Sequence, residues 1–92
     1  IVDNVFFKVS DNRFFYIQHI DTHALTMSDI LVFEKDTHFP RIITAKTATW
    51  DTHTWTLFDG HIQDFTADGE LGTHSAFQQN LIHVNPIFSR RC

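Results

Sequence analysis

The sequence has a single cysteine, Cys92, which is its last residue. A lone thiol excludes an intrachain disulfide and leaves the redox compartment open. The chain also lacks 18 consecutive apolar residues and a charged, apolar leader, so none of it is predicted to span a membrane or to act as a signal peptide. Because it begins at Ile1 without a methionine, we expect the chain to be cut from a longer protein.

Clustered positive charge is missing as well. The net charge is −4, and the seven Lys and Arg residues are scattered from Lys8 to Arg91. Nucleic-acid binding is therefore disfavoured, since a phosphate backbone requires grouped cations. The four serines have no nucleophile-elbow context, and the sequence has no His-x-Glu, no Glu-x-x-His and no cysteine pair. We expect no enzyme activity, no cofactor and no catalytic residue.

The tripeptide Asp-Thr-His recurs at positions 21, 36 and 51, fifteen residues apart each time. Seven histidines among nine aspartates and two glutamates suggest a metal site, but successive turns of an up-and-down sheet lie at alternating ends. His23 and His53 could meet there, whereas His38 could not join them. We interpret the tripeptides as turns shaped by Asp and Thr side chains, and predict no metal site.

The residues present in abundance favour strands. Apolar residues make up 42% of the chain and ten residues are Phe, which is the composition of a folded domain. Strands are predicted at 5–9, 14–20, 28–35 and 41–50, and 75–84 fits either a strand or a short helix. The predicted fold class is all-β: an antiparallel, jellyroll or sandwich-like curved sheet with an up-and-down order. A repeat array is the alternative.

A central hairpin spans residues 44–60, with Trp50 and Trp55 at the inner ends of its two arms. The simplest register places Trp50 opposite Trp55, and it also predicts four further pairs. Such aromatic, Thr, charged and β-branched pairs stabilise antiparallel sheets. The four pairs are Thr49 with Thr56, Ala48 with Leu57, Lys46 with Asp59, and Ile43 with Ile62.

Apolar residues fall on both faces of the strand at 14–20, with Phe14, Tyr16 and Ile20 on one side and Phe15 and Ile17 on the other. This pattern indicates either a two-sided environment or a bulge near Tyr16 and Ile17. One interpretation is core on one side and a packed partner on the other. Another is an apolar groove that takes acyl chains or a neighbouring strand.

Taken in order, several short motifs resemble the LptF/LptG (YjgP/YjgQ) family of lipopolysaccharide-export permeases. Phe7 to Ile17 is similar to the family's K-D-G-x-x-F-x-Y-I, and the spacing of the later motifs fits over nearly the whole chain. Those motifs are Ile30 to Phe33, Ala45-x-x-Ala48-x-Trp50, Trp55-x-Leu57 and the exit from Leu81 to Pro86. Trp50, Trp55 and Leu57 resemble the LptG-like member more than the LptF-like one.

The resemblance implies a periplasmic β-jellyroll domain of an inner-membrane protein, covering residues 1–86, with 87–92 leading toward an absent transmembrane helix. The implied partners are lipopolysaccharide, a second permease subunit, a cytoplasmic ATPase and jellyroll proteins like LptC and LptA. The ATPase partner would carry out ATP hydrolysis. The family's domain usually begins earlier, so a first strand is expected to be missing, leaving an open edge through which the chain could dimerise.

The candidates for a lipid-facing interior are apolar strand residues, with the inward face left undecided: Phe15, Ile17, Leu31, Phe33, Ile43, Trp55 and Leu57. The leading alternative function is a free-standing β-sandwich module that binds carbohydrate or protein, with its tryptophans as surface platforms. Burial of Trp50 and Trp55 would favour the first interpretation over the second.

Overall fold

The computed structural model describes residues 2–35, 39–51 and 53–83, and these form one antiparallel sheet of six strands. Each strand pairs with the next one along the chain, so the order is a simple meander with β1 and β6 at the edges. The prediction of an all-β, antiparallel, curved sheet is confirmed. The strands are β1 (Val2–Ser10), β2 (Arg13–Asp21), β3 (Thr26–Glu34), β4 (Arg41–Trp50), β5 (Thr54–Phe65) and β6 (Leu71–His83).

The central hairpin has the predicted register. Trp50 lies opposite Trp55, and three more of the predicted pairs are found as expected: Thr49 with Thr56, Ala48 with Leu57, and Ile43 with Ile62. The hairpin turn is closed by the Asp51 amide, which donates to the Thr54 carbonyl oxygen at 2.8 Å. The register found is thus the one that side-chain pairing between the two arms favours.

Turn chemistry also behaves as the sequence indicates at the first Asp-Thr-His. The Asp21 carboxylate accepts hydrogen bonds from the amides of His23 and Ala24, at 3.0 and 3.1 Å. This is the local side-chain-to-backbone bonding typical of Asp at a turn. The second copy at 36–38, and the predicted exit segment at 87–92, lie outside the described residues.

Residues 71–83 form a strand and not a helix, which settles the choice that the sequence left open. The strand β6 is the longest in the sheet, and it follows a tight loop after β5. In that loop the Gly69 amide donates to the Thr66 carbonyl oxygen at 2.9 Å, and Gly69 adopts a φ of 86°. A left-handed conformation of this kind is one that glycine adopts at little cost.

One row of residues interrupts the alternation of side chains in all six strands at the same level. The register is unchanged on both sides of this row, so its members lie side by side across the sheet. We call the row the crease; all its residues are exposed. It consists of Asn4, Gln18, Asp29, Lys46, Asp59 and Gln78.

At the crease, two residues instead of one separate the side chains that face the core. In β3, for example, Met27 and Ile30 are both buried, although simple alternation would place them on opposite faces. The odd-numbered strands achieve this with residues at a φ of 55 to 56°, namely Asn4, Asp29 and Asp59. Asn and Asp are the non-glycine residues that tolerate this left-handed region best. The crease therefore has a local backbone cause in three of the six strands.

The sheet curls strongly, so that strands far apart in its order come into contact on one side. In a flat sheet, β2 and β5 would lie about 14 Å apart. Instead, the Phe15 ring packs edge-on against Trp55 with ring centroids 4.5 Å apart. Arg13 of β2 also donates to the carbonyl oxygen of His83 at the end of β6, at 3.2 Å. We call the concave side, which carries Phe15 and Trp55, the inner face.

Buried apolar side chains on the inner face form a single core. Four of them are the largest side chains that lose essentially all contact with solvent: Phe15, Ile17, Val32 and Leu57. Among the described residues, no polar or charged side chain is buried. The remaining members of the core cluster are Met27, Ile30, Ile43, Ala45, Ala48, Trp55 and Ile82.

Candidate functional site

An apolar cleft opens on the inner face beside this core. Its volume is about 370 Å³, and seven of its eight lining residues are apolar. They come from the first five strands and from the turn after β2, so the curl of the sheet is what assembles them. The lining residues are Val2, Val5, Ile17, Ile20, Thr22, Met27, Trp50 and Trp55. A cleft with this lining suits a hydrocarbon group and offers almost no polar atoms to a hydrophilic ligand.

The structure brings five of the seven predicted interior residues together in the core: Phe15, Ile17, Ile43, Trp55 and Leu57. Two of these five, Ile17 and Trp55, also line the cleft. Phe15, Ile43 and Leu57 are not among the residues that line the cleft. Contact of any of the seven with lipid stays a prediction.

Leu31 and Phe33 lie on the opposite, outer face. In β3 the even-numbered residues Ile30 and Val32 are buried, because they pair with Ile17 and Phe15 of β2. Residues that alternate with them must therefore point outward. Phe33 stacks there on Phe14 with ring centroids 6.2 Å apart, and both rings are half-buried. The structure thus separates these two candidates from the cleft.

Six cleft residues were not among the interior candidates: Val2, Val5, Ile20, Thr22, Met27 and Trp50. For Val2, Val5, Ile20 and Met27, a signal does exist in the sequence. Val2-Asp-Asn-Val5 and Ile17-Gln-His-Ile20 each place two polar residues between apolar ones, as Met27-Ser-Asp-Ile30 does. These steps cross the crease in each strand, and they bring the flanking apolar residues to the same face.

The position of the tryptophans bears on the alternative of a sugar-binding surface. Trp55 is only 4% exposed and is covered by Phe15, so it cannot act as a surface platform. Trp50, its cross-strand partner, is half-buried and lines the cleft. The two rings therefore contribute to the interior and its mouth, which disfavours the platform interpretation.

A ladder of charged side chains lies at the far end of the inner face, beyond the apolar rows. Arg13 contacts Glu34 at 2.8 Å, and the Arg41 Nε donates to the Asp64 carboxylate at 2.7 Å. The Arg41 hydrogen bond, followed by one from Thr73, lowers the pKa of Asp64 despite its partial desolvation. The ladder pairs its cations with carboxylates, so it is better suited to end the apolar interior than to bind an anion.

Histidines and carboxylates do not assemble into a metal centre of three or more ligands anywhere in the ranges 2–35, 39–51 and 53–83. A pair of imidazoles does occur on the outer face, where His74 Nε2 and His61 Nδ1 are 3.1 Å apart. His19 instead contacts the Asp3 carboxylate at 2.8 Å, next to the crease. None of these groups reaches the cleft.

Among the residues that the structure describes, β1 and β6 each pair with one strand only and not with each other, so both edges of the sheet are open. Both leave backbone donors and acceptors available along one side, which is the property that allows a sheet to accept a strand from another chain. Along β6 most side chains are exposed, including Leu71 and Leu81 at 54% each.

Fold and cleft together define a class of protein: an open, curved all-β domain with an apolar concave face. The part of the chain that the structure describes contains no helix suited to crossing a bilayer. The model of the lipopolysaccharide export system permease LptF/LptG family matches residues 1–90. The chain therefore belongs to that family, as the order of its motifs indicated, and the family is a component of an inner-membrane transporter. A search of curated proteins found no match.

Proposed function

We propose that this chain is the periplasmic domain of a lipopolysaccharide-export permease, and that it relays the glycolipid from the inner membrane to a partner jellyroll protein. The observation that carries the proposal is the apolar cleft on the inner face, in a chain that belongs to the LptF/LptG family. In this proposal the domain is a conduit and not a catalyst. ATP hydrolysis is assigned to a cytoplasmic partner reached through the membrane part of the protein.

The chemistry of the cleft supports an acyl chain as the transported part. Each methylene that moves from water into an apolar site contributes about 0.8 kcal/mol, so four of them would contribute about 3 kcal/mol. The contribution comes from contact area and not from directed hydrogen bonds, so it does not require one fixed pose. Such a site binds an acyl chain without fixing its position. A protein that passes a lipid to a partner needs this kind of reversible, non-directional binding.

The open edges support the second half of the proposal. A partner jellyroll protein of the LptC or LptA type could add a strand at β1 or β6, through backbone hydrogen bonds. The second permease subunit could use the other edge, or a second copy of this chain could do so. Edge pairing would place the concave faces of neighbouring domains in line.

Site-specific photo-crosslinking in the full permease tests the lipid path. Val5 lines the cleft, whereas its neighbour Phe6 is 67% exposed and lies on the outer face. A photoreactive phenylalanine analogue at position 5 should give a lipopolysaccharide adduct in transporting membranes supplied with ATP. The same analogue at position 6 is the matched control and should give none. Adducts at position 6 without any at position 5 would contradict the proposed path.

A further inference from the structure

Two imidazoles are held together on the outer face, away from the apolar cleft of the inner face. His61 of β5 and His74 of the edge strand β6 are both exposed, and their facing nitrogens are 3.1 Å apart. We propose that this pair binds a borderline divalent cation such as Zn²⁺, Ni²⁺ or Cu²⁺, with one nitrogen from each ring as ligand.

The spacing of the nitrogens carries the proposal. Zinc binds imidazole nitrogens at about 2.0–2.1 Å, so two imidazoles on one tetrahedral ion stand about 3.3 Å apart. Two adjacent positions of a square-planar copper or nickel site stand about 2.9 Å apart at similar bond lengths. The 3.1 Å between His74 Nε2 and His61 Nδ1 lies between these values. A cation could therefore enter with only a small adjustment of the side chains.

In the absence of metal, one ring must donate its N–H to the other ring's nitrogen for the two to lie this close. When a metal ion takes the place of that shared proton, the donor ring changes tautomer and holds the proton on its other nitrogen, so both facing nitrogens offer lone pairs. Acid opposes binding, because protons compete with the ion for those lone pairs. Rigid backbone holds both rings, because β5 and β6 pair on both sides of them. The strand pairing therefore fixes the two backbones relative to each other, and the hydrogen bond between the rings already brings the two ligand nitrogens together.

The site is an open one. No third His, Cys, Asp or Glu joins the pair among the residues that the structure describes, so water completes the coordination. An ion with two protein ligands binds far more weakly than one in a closed structural site. Its effect would be to link the edge strand β6 to β5.

Calorimetric titration of tag-free protein with ZnCl₂ tests the site. Wild-type protein should bind one ion, and binding should weaken on acidification. His61→Ala and His74→Ala should each lose affinity by more than the roughly 10- to 100-fold that follows loss of a group supporting a ligand. His19→Ala is the matched control, since it removes an exposed imidazole that contacts a carboxylate. It should bind like wild type.

Thermal unfolding supplies a second readout that depends on folding and not on heat of binding. Zinc should raise the Tm of wild type and of His19→Ala, because an ion that binds only the folded state stabilises it. It should leave the Tm of His74→Gln unchanged, and a chelator should reverse the shift. Absence of binding by wild type, or equal binding by all variants, would overturn the proposal.

Discussion

Gly60 offers the sharpest test of how tightly β4 and β5 are packed. A Cβ atom at this position would lie 1.8 Å from the Thr44 carbonyl oxygen and 2.7 Å from the Phe77 ring. The ring can turn aside, but the carbonyl belongs to the backbone of the neighbouring strand. Because real Cβ contacts are essentially never below 3.0 Å, the substitution Gly60→Ala must push the two strands apart by more than an ångström.

The magnitude follows from what that displacement breaks. Overfilling a packed site typically costs about 1–3 kcal/mol. Loss of one or two hydrogen bonds between the strands adds about 1 kcal/mol each. We therefore expect Gly60→Ala to lower the free energy of unfolding by about 2–5 kcal/mol, a large part of the 5–15 kcal/mol typical of a domain.

Urea denaturation, followed by the fluorescence of the buried Trp55, measures this loss. Gly72→Ala is the matched control, because its Cβ would approach the nearest backbone atom, the Asp64 carbonyl oxygen, only to 3.2 Å. It should change the free energy of unfolding by less than about 1 kcal/mol. A Gly60→Ala protein within about 1 kcal/mol of wild type would refute the packing argument.

Three further predictions concern the core, the charged ladder and the crease. Leu57 is fully buried, so Leu57→Ala should lower the free energy of unfolding by about 2–5 kcal/mol, as measured by urea denaturation. Leu81 is 54% exposed, so Leu81→Ala should lower it by about 0.5 kcal/mol or less. Arg41 lowers the pKa of Asp64, so wild type should be more stable than Asp64→Asn at neutral pH, and this difference should vanish as pH falls through the lowered pKa. The difference should be about 0–1 kcal/mol, because the ion pair is partly exposed. A difference that grew in acid would contradict this prediction. Asp29 has a φ of 56°, so Asp29→Val should lower the free energy of unfolding by about 1–2 kcal/mol, whereas Asp29→Gly should leave it almost unchanged. The urea midpoints of the two variants measure this difference, and equal midpoints would show that the backbone at position 29 is unstrained.

The sequence was most informative where strands are neighbours in the chain. The register of the central hairpin could be predicted because Trp50 and Trp55 mark the inner ends of its arms, and the simplest pairing matches side chains of like character on both arms. The bounds of β4 could be predicted for the same reason. Local pairing depends on residues close in sequence, and those residues are visible without a structure.

Which side chains of each strand point to the inner face was harder to predict. A strict alternation carried through β2 and β3 assigns Leu31 and Phe33 to the interior as readily as their neighbours, because all are apolar. The missing information was the crease. The sequence indicated an irregularity near Tyr16 and Ile17, and the break in alternation lies just beyond them, at Gln18 and His19. In the sequence, the crease is marked by two polar residues between two apolar ones, a spacing that fits neither the period of a strand nor that of a helix.

An apolar groove was one of two interpretations of the sequence, but no residue pattern predicted the full lining of the cleft. It depends on the curl that brings Phe15 of β2 against Trp55 of β5, across two intervening strands. That contact joins residues forty positions apart. No local pattern encodes it, since the same strands in a flatter sheet would leave the two rings well separated.

The crease also restricts how the gene can change. Since the break falls at one level in six strands, adding or deleting a codon inside any single strand would turn half of that strand's side chains the wrong way relative to its neighbours. Only the connecting loops escape this rule. Insertions and deletions among natural relatives should accordingly occur in the loops between the strands. The two-residue spacing between the apolar residues on either side of the crease should be kept even where the residues themselves differ.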